Sequence, residues 1–329
     1  MNELSIPKDL NAMGEIAKTL HEPWLVAVWP GMGHVALSAG YYIMSKLGME
    51  EFAEFSPREL FELNHVEVKD GLIHSGQLPR SRFFLWRDPD QRHDIVLFVG
   101  EAQPNGIIAF CQALVGYARS LGVSRMFTFA AMATGMHPRQ GSRVFVAATD
   151  QPMLDELKSD GLQILTDGHI SGLNGVVLGE AAAAGIHGAC LLGEMPHPFS
   201  QLPFPGASLS IVRAFAQLAK IPMDVTELEQ QAHLVSERLG ELLTQVEETL
   251  QGQQSDDAQE SPPNLEAFPE PPAPAEPQLT GEDLNRIREL FQQARTDKSN
   301  AYLLKQELDR LGVFKDYEDD FLDLFRKQD

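Results

Sequence analysis

This 329-residue chain predicts an α/β layered fold, with a mainly parallel or mixed central sheet flanked by helices and a C-terminal helical extension. Three observations predict it. Apolar runs of strand length alternate with longer stretches whose apolar residues recur every three or four positions. The run Val123 to Ala131 is apolar on both faces apart from Ser124, Arg125 and Thr128, as a strand covered on each side must be. A proline-rich acidic stretch then sets apart the last fifty residues, which regain helical periodicity.

Taken in order, the first element is the apolar run Trp24 to Trp29, which stops at Pro30, turns through Gly31-Met32-Gly33 and enters a helical pattern. It reads as strand, tight turn and helix. The segment Glu62 to Trp86 holds shorter runs around Asp70-Gly71 and reads as an antiparallel hairpin excursion, with Phe83 to Trp86 a strand. Ile95 to Val99, Met126 to Ala130, Val144 to Ala148 and Gly188 to Leu192 are further strands. The helix Gly106 to Leu121 aligns Ile107, Phe110, Cys111, Leu114, Tyr117, Ala118 and Leu121 on one face, and Gly122 supplies its C-cap. Residues 206–250 read as two helices divided at Pro222. The second carries Leu228, Ala232, Val235, Leu239, Leu242, Leu243 and Val246 as a stripe, either a coiled-coil seam or a face lying on the body.

Three units follow: an α/β domain over 1–250, a disordered linker over 251–279 with seven prolines, and a small helical module over 280–329. In the module, Thr280 to Asp283 forms a capping sequence, Leu284 to Ala294 builds one face, and helices follow around Ala301 to Leu311 and Asp316 to Phe325. So small a unit gains little from its own core, so it docks on the body, on a second copy or on a partner.

The formal charge is −21; residues 251–329 hold 18 acids and 9 bases, and the preceding 250 residues are acidic as well. No basic patch draws the chain to phosphate backbones or anionic lipid, so nucleic acid and membrane are not expected partners. The start MNELSIPKDL has no signal-peptide pattern, and a cytoplasmic location is expected. The two cysteines, Cys111 and Cys190, read as buried structural thiols; His187 lies three residues from Cys190, which in a strand puts the two on opposite faces.

Candidate binding residues fall in loops that follow strands or precede helices, where open α/β sheets gather their ligands. Gly31, Gly33 and His34 form the first turn, which holds either an anion or a partner's carboxylate, or is a steric turn alone. Glu101 and Gln103 follow the strand ending at Val99. Ser171, Gly172 and Asn174 precede an alanine-rich helix, and Glu194 follows the strand ending at Leu192. Each has a plainer reading as a helix cap or turn residue. The ten histidines form no HxH or HExxH pattern, and there is no GxSxG elbow or P-loop. No catalytic residue, metal site or cofactor is therefore expected.

PGMGHVALSAGYYIMSKLGMEEFAEF, VGEAQP, GYARSLGVSRMFTFAAMATG, VFVAATD and ISGLNGVVLGEAAAAGIHGACLLGEMP together resemble the proteasome assembly chaperone family, in its bacterial and archaeal branch, over about residues 20–230. The resemblance implies a fold like that of the purine nucleoside phosphorylases, with homo-oligomerisation common. It links eukaryotic and archaeal members to the assembly of proteasome α-subunits. The family pattern often has Asn where His34 stands. The ending Lys327-Gln328-Asp329 lacks the hydrophobic-tyrosine tail by which such proteins insert into proteasome pockets, so tail insertion is not expected. Residues 251–329 fall outside the resemblance.

The leading expectation is a non-enzymatic, homo-oligomeric protein-binding scaffold or assembly chaperone with an unidentified protein partner. The alternative is an enzyme or binder of a small nucleoside-like or phosphorylated metabolite in the strand-end cleft. A third reading has the C-terminal module binding a neighbouring subunit.

Overall fold

The computed structural model describes residues 16–55, 60–62, 66–69, 71–75, 78–256 and 279–326. The chain runs β1 (Trp24–Val28), a 3₁₀ turn (Met32–His34), α1 (Val35–Lys46), β2 (Glu50–Glu54), the hairpin β3 (Val66–Lys69) and β4 (Leu72–Ser75), β5 (Ser81–Trp86), β6 (Ile95–Gly100), α2 (Ile107–Ser120), β7 (Arg125–Thr134), β8 (Val144–Ala148) and α3 (Gln151–Ser159). There follow β9 (Gln163–Ile164), α4 (Leu173–Ala183), β10 (His187–Pro196), α5 (Pro205–Ala219), α6 (Thr226–Asp256), α7 (Gly281–Thr296), α8 (Ala301–Leu311) and α9 (Phe314–Asp323).

Eight strands form one mixed sheet in the order β2-β5-β6-β1-β7-β10-β8-β9. Its centre, β6-β1-β7-β10, is parallel, while β5 and β8 run antiparallel on either side. All residues of β1 and β6 are buried, because both sheet faces are covered. Alternation divides them: Trp24, Val26 and Val28 join the core under α1 and α5, whereas Leu25 and Ala27 join the core under α2 and α4.

Several elements exceed or escape the sequence pattern. β7 and β10 each run ten residues, since they pair from Arg125–His187 to Thr134–Pro196. β2 is absent from the pattern because Glu50, Glu51 and Glu54 make it look polar, and α3 and the two-residue β9 are too short to carry a clear period. The hairpin β3–β4 lies outside the main sheet, and Asp70 of its predicted turn lies outside the described residues. Helix α6 continues to Asp256, beyond the predicted boundary at 250; residues 257–278 of the predicted linker lie outside the described residues.

The C-terminal helices close over the α1 side. Thr280 and Asp283 form the reciprocal capping box of α7, with the Asp283 N–H donating to Thr280 Oγ1 at 3.1 Å. Ile287, Leu290, Tyr302, Leu304, Leu308, Phe321, Leu322 and Phe325 are buried and belong to the same core as α1 and β1. The Tyr41 ring of α1 lies 5.5 Å from both Phe314 and Phe321, and Tyr42 meets Tyr302 edge-on at 4.6 Å. The segment therefore buries its apolar stripe against the body, the first of the three docking modes expected for so small a unit.

Candidate functional site

The turn after β1 is shaped by packing. Gly33 has φ +60°, and a Cβ there would lie 2.7 Å from Met195 Cε on β10. Its N–H donates to the Ser200 carbonyl at 3.0 Å, and its own carbonyl accepts the Phe204 N–H at 3.1 Å. This locks the turn to the segment after β10. His34 stands at the N-cap of α1 with φ +52°, makes no side-chain capping bond and is exposed.

Gly31 and His34 border a cleft of about 500 Å³ together with Tyr41 of α1 and Glu101 from the loop after β6. The opposite wall comes from the C-terminal helices, through Lys305, Phe314, Lys315 and Glu318. The crevice in which open α/β sheets bind ligands is thus partly filled by this chain's own C-terminus. Glu101 Oε2 accepts the Arg80 N–H at 2.8 Å. Burial pushes its carboxyl above the ordinary range, and the nearby Asp319 and Glu318 add to the shift. The Tyr41 hydroxyl donates to Glu318 Oε1 at 2.6 Å, and burial followed by the Glu318 charge raises its pKa well above the usual value.

Beside the cleft, Arg82 of β5 is fully buried and pairs with Asp319 and Asp323 of α9, the latter at 3.0 Å, and with Glu51 of β2 at 3.6 Å. Arg80 pairs with Glu54 at 2.8 Å and with Asp319 at 3.2 Å. The Glu51 N–H donates to the Phe325 carbonyl at 2.8 Å, and Glu51 and Arg326 form a parallel β-bridge, so the chain end covers the sheet edge at β2. Arg82 Nε and Glu51 Oε2 are buried without hydrogen-bond partners. Burial raises the Glu51 carboxyl despite the opposing pull of Arg82.

The remaining candidate residues lie elsewhere. Gln103 packs against Gly172, where a Cβ would sit 3.3 Å from its carboxamide, at the start of α4 on the other side of the sheet. Thr128 Oγ1 donates to the Asn174 carbonyl at 3.1 Å, while Asn174 Oδ1 is buried without a partner and Ser171 is exposed. In this loop Gly175 is required sterically, because a Cβ there would lie 2.1 Å from the Ile170 carbonyl oxygen. Glu194 is 1% exposed and accepts from Arg143 Nε at 2.7 Å and Thr134 Oγ1 at 2.8 Å. The Arg143 guanidinium holds its carboxyl below the ordinary range. The predicted loops therefore do not converge on one cleft: Gly31, His34 and Glu101 share it, and Gln103 and Gly172 meet across the sheet. Glu194 does not follow its strand but lies within β10, which pairing with β7 extends to Pro196, and is held in an ion pair.

Sequence reasoning missed Tyr41, Arg80, Arg82, Phe314 and Glu318. The available signal was the mixture of acids and phenylalanines through Phe314–Phe325, in which five acids stand against the single base Lys315. Among the described residues, no group of three or more His, Cys, Asp or Glu side chains is placed to hold a metal ion, and no helix is long and apolar enough to cross a membrane. Cys111 and Cys190 are buried, and burial pushes both thiols up to about 12.

The described residues thus form an α/β protein with a mixed eight-stranded sheet and a strand-end crevice walled by its own C-terminal helices. The PAC2 family profile matches residues 25–243, more than half of the chain, and the chain belongs to that family, as the motif series implied. An uncharacterized protein of Methanocaldococcus jannaschii is 26% identical over 256 residues, covering 75% of this chain and 91% of the relative. Among solved structures, the Pyrococcus furiosus archaeal proteasome activator PbaB superposes with TM-score 0.57 at 22% identity, covering 69% of this chain and 94% of that one. A Mycobacterium tuberculosis proteasome-assembly chaperone homologue gives TM-score 0.57 at 21% identity, covering 67% and 95%. These likenesses establish the shared fold.

Proposed function

We propose that this protein is a non-enzymatic, homo-oligomeric binding scaffold of the assembly chaperone type, acting on a protein partner in the cytoplasm. The observation that carries the reading is the occupied crevice: the charged groups around it pair with one another and with the C-terminal helices rather than standing free for a substrate. The Pyrococcus and Mycobacterium proteins of the same fold, a proteasome activator and a proteasome-assembly chaperone homologue, favour a protein partner, and a proteasome subunit is the first to look for. The test is affinity purification of the tagged full-length protein from its own cells, with mass spectrometry of what co-purifies. One specific partner in stoichiometric amount is expected. Recovery of none, together with turnover of a small molecule by the purified protein, overturns the reading.

A second reading rests on the cleft itself. About 500 Å³ bordered by Gly31, His34 and Glu101 is room for a nucleoside-like or phosphorylated metabolite. On this reading, replacing His34 and Glu101 by alanine abolishes metabolite binding, and retained binding removes it.

A further inference from the structure

We propose that the face formed by α1, β5 and β2 is a docking surface for an acidic amphipathic helix of a partner protein, and that α9 is its intramolecular occupant. The inference rests on the protein-binding reading above and names the chemistry of the partner.

Four observations carry it. First, the charges are complementary: Arg80 and Arg82 on the body face Asp319 and Asp323 on α9, and the Tyr41 hydroxyl on the body meets Glu318. Second, the apolar contacts are made by spaced anchors, with Phe314 and Phe321 against Tyr41 and Phe325 against Phe84, the pattern of a helix laid in a groove. Third, the joint sets a charged cluster beside its apolar anchors: Arg82 Nε and Glu51 Oε2 lie buried without hydrogen-bond partners beneath the chain end, so this contact gives up stability that an all-apolar core would keep. Fourth, the family match ends at residue 243, and part of this chain covers 94–95% of two relatives of the same fold, so the fold is complete in proteins lacking a counterpart to much of the remainder.

Among the described residues α9 is the last helix and is joined to α8 only through Gly312 and Val313, so it can leave the face while α7 and α8 stay packed on the body. A tethered occupant has a high effective concentration, so a partner helix binds strongly only when α9 is weakened or out-competed. The acids of α9 define what that helix must carry: two carboxylates one turn apart to reach Arg80 and Arg82, with aromatic anchors on the adjoining face.

The probe is a fluorescein-labelled synthetic peptide of residues 313–326, titrated against full-length protein by fluorescence polarisation. Against the unmodified chain weak binding is expected. Against the full-length Asp319→Lys/Asp323→Lys variant, in which α9 repels Arg82, the peptide binds at least tenfold more tightly, and adding Arg82→Glu removes the gain. Near-ultraviolet circular dichroism checks that the variant keeps its core. A second full-length variant, Glu51→Cys/Arg326→Cys, joins two bridge-paired positions and locks the chain end when oxidised. The oxidised form rejects a peptide that the reduced form admits. Equal peptide affinity for unmodified and lysine-substituted chains, absence of binding to both, or binding indifferent to the lock overturns the inference. A partner recovered from cells alongside a negative peptide titration leaves the scaffold reading standing and removes this one alone.

Discussion

Tyr41 on the first helix of the body donates a 2.6 Å hydrogen bond to Glu318, 277 residues further along the chain. This bond joins the strand-end crevice to the C-terminal helix that walls it. Because both groups are buried, Tyr41→Phe leaves a carboxyl with one donor fewer. It lowers stability by about 1.5–3 kcal/mol, as for hydrogen bonds to charged groups. Urea unfolding reads the loss as a lower midpoint at unchanged slope, and an unchanged midpoint removes the bond's structural role.

Arg82→Met removes the shared partner of Asp319, Asp323 and Glu51. Breaking a fully buried pair costs about 3–5 kcal/mol. Here about 2–3 kcal/mol is expected, because the side chains of Asp319 and Asp323 are 57% and 40% exposed and keep their water. Hydrogen exchange localises the effect: amides of α9 lose protection before those of β1 and β6.

The Glu194–Arg143 pair makes stability depend on acid. The carboxyl of Glu194 titrates below its ordinary range, so its contribution is present above about pH 4.3, the unfolded value, and is lost as pH falls through the lowered folded value. Arg143→Met is therefore destabilising at neutral pH, and the difference from the unmodified chain shrinks at about pH 3. Thermal unfolding at the two pH values measures it; an undiminished difference contradicts the assignment.

At alkaline pH the sign reverses. Burial raises the hydroxyls of Tyr41, Tyr42, Tyr117 and Tyr302, so the stability they contribute is complete below about pH 10, where unfolded tyrosine ionises, and is lost as pH climbs above it. Phenolate absorbance from these four should rise together with loss of folded structure. Titration of all of them in the intact fold would refute their burial. The thiols behave in parallel: neither Cys111 nor Cys190 reacts with Ellman's reagent until the chain is unfolded.

Gly33→Ala tests the steric account of the first turn. The left-handed backbone there costs a non-glycine residue about 1–2 kcal/mol, and the new Cβ must displace the Met195 methyl, 2.7 Å away. Adding Met195→Ala recovers part of the loss by making room. If Gly33→Ala is neutral, glycine is not needed at this position for packing.

How much of this was legible varies from element to element. Trp24–Val28 and Ile95–Gly100 could be read directly, because strands buried on both faces are apolar without interruption. The helix of Ile107–Ser120 was visible in its spacing, as was the cap at Thr280. β2 was hidden by its glutamates, of which Glu51 meets Arg82 and the chain end and Glu54 meets Arg80. In the candidate site, the turn at Gly31–His34 and the position of Glu101 were legible from strand ends. The capture of Glu194 by Arg143, 51 residues away, was not.

The sequence by itself determined the layered α/β class, the positions of most strands and helices, and the family to which residues 25–243 belong. The class and the elements follow from periods of two and about three and a half residues, which neighbouring positions encode locally, whereas the family follows from the resemblance carried by the motif series. Only the tertiary structure decided that the acidic C-terminal helix lies on Arg80, Arg82 and Tyr41, and that the predicted loops serve different places. Those pairings join groups more than two hundred residues apart, and the hydrophobic stripe of α9 specifies that something must cover it without specifying what.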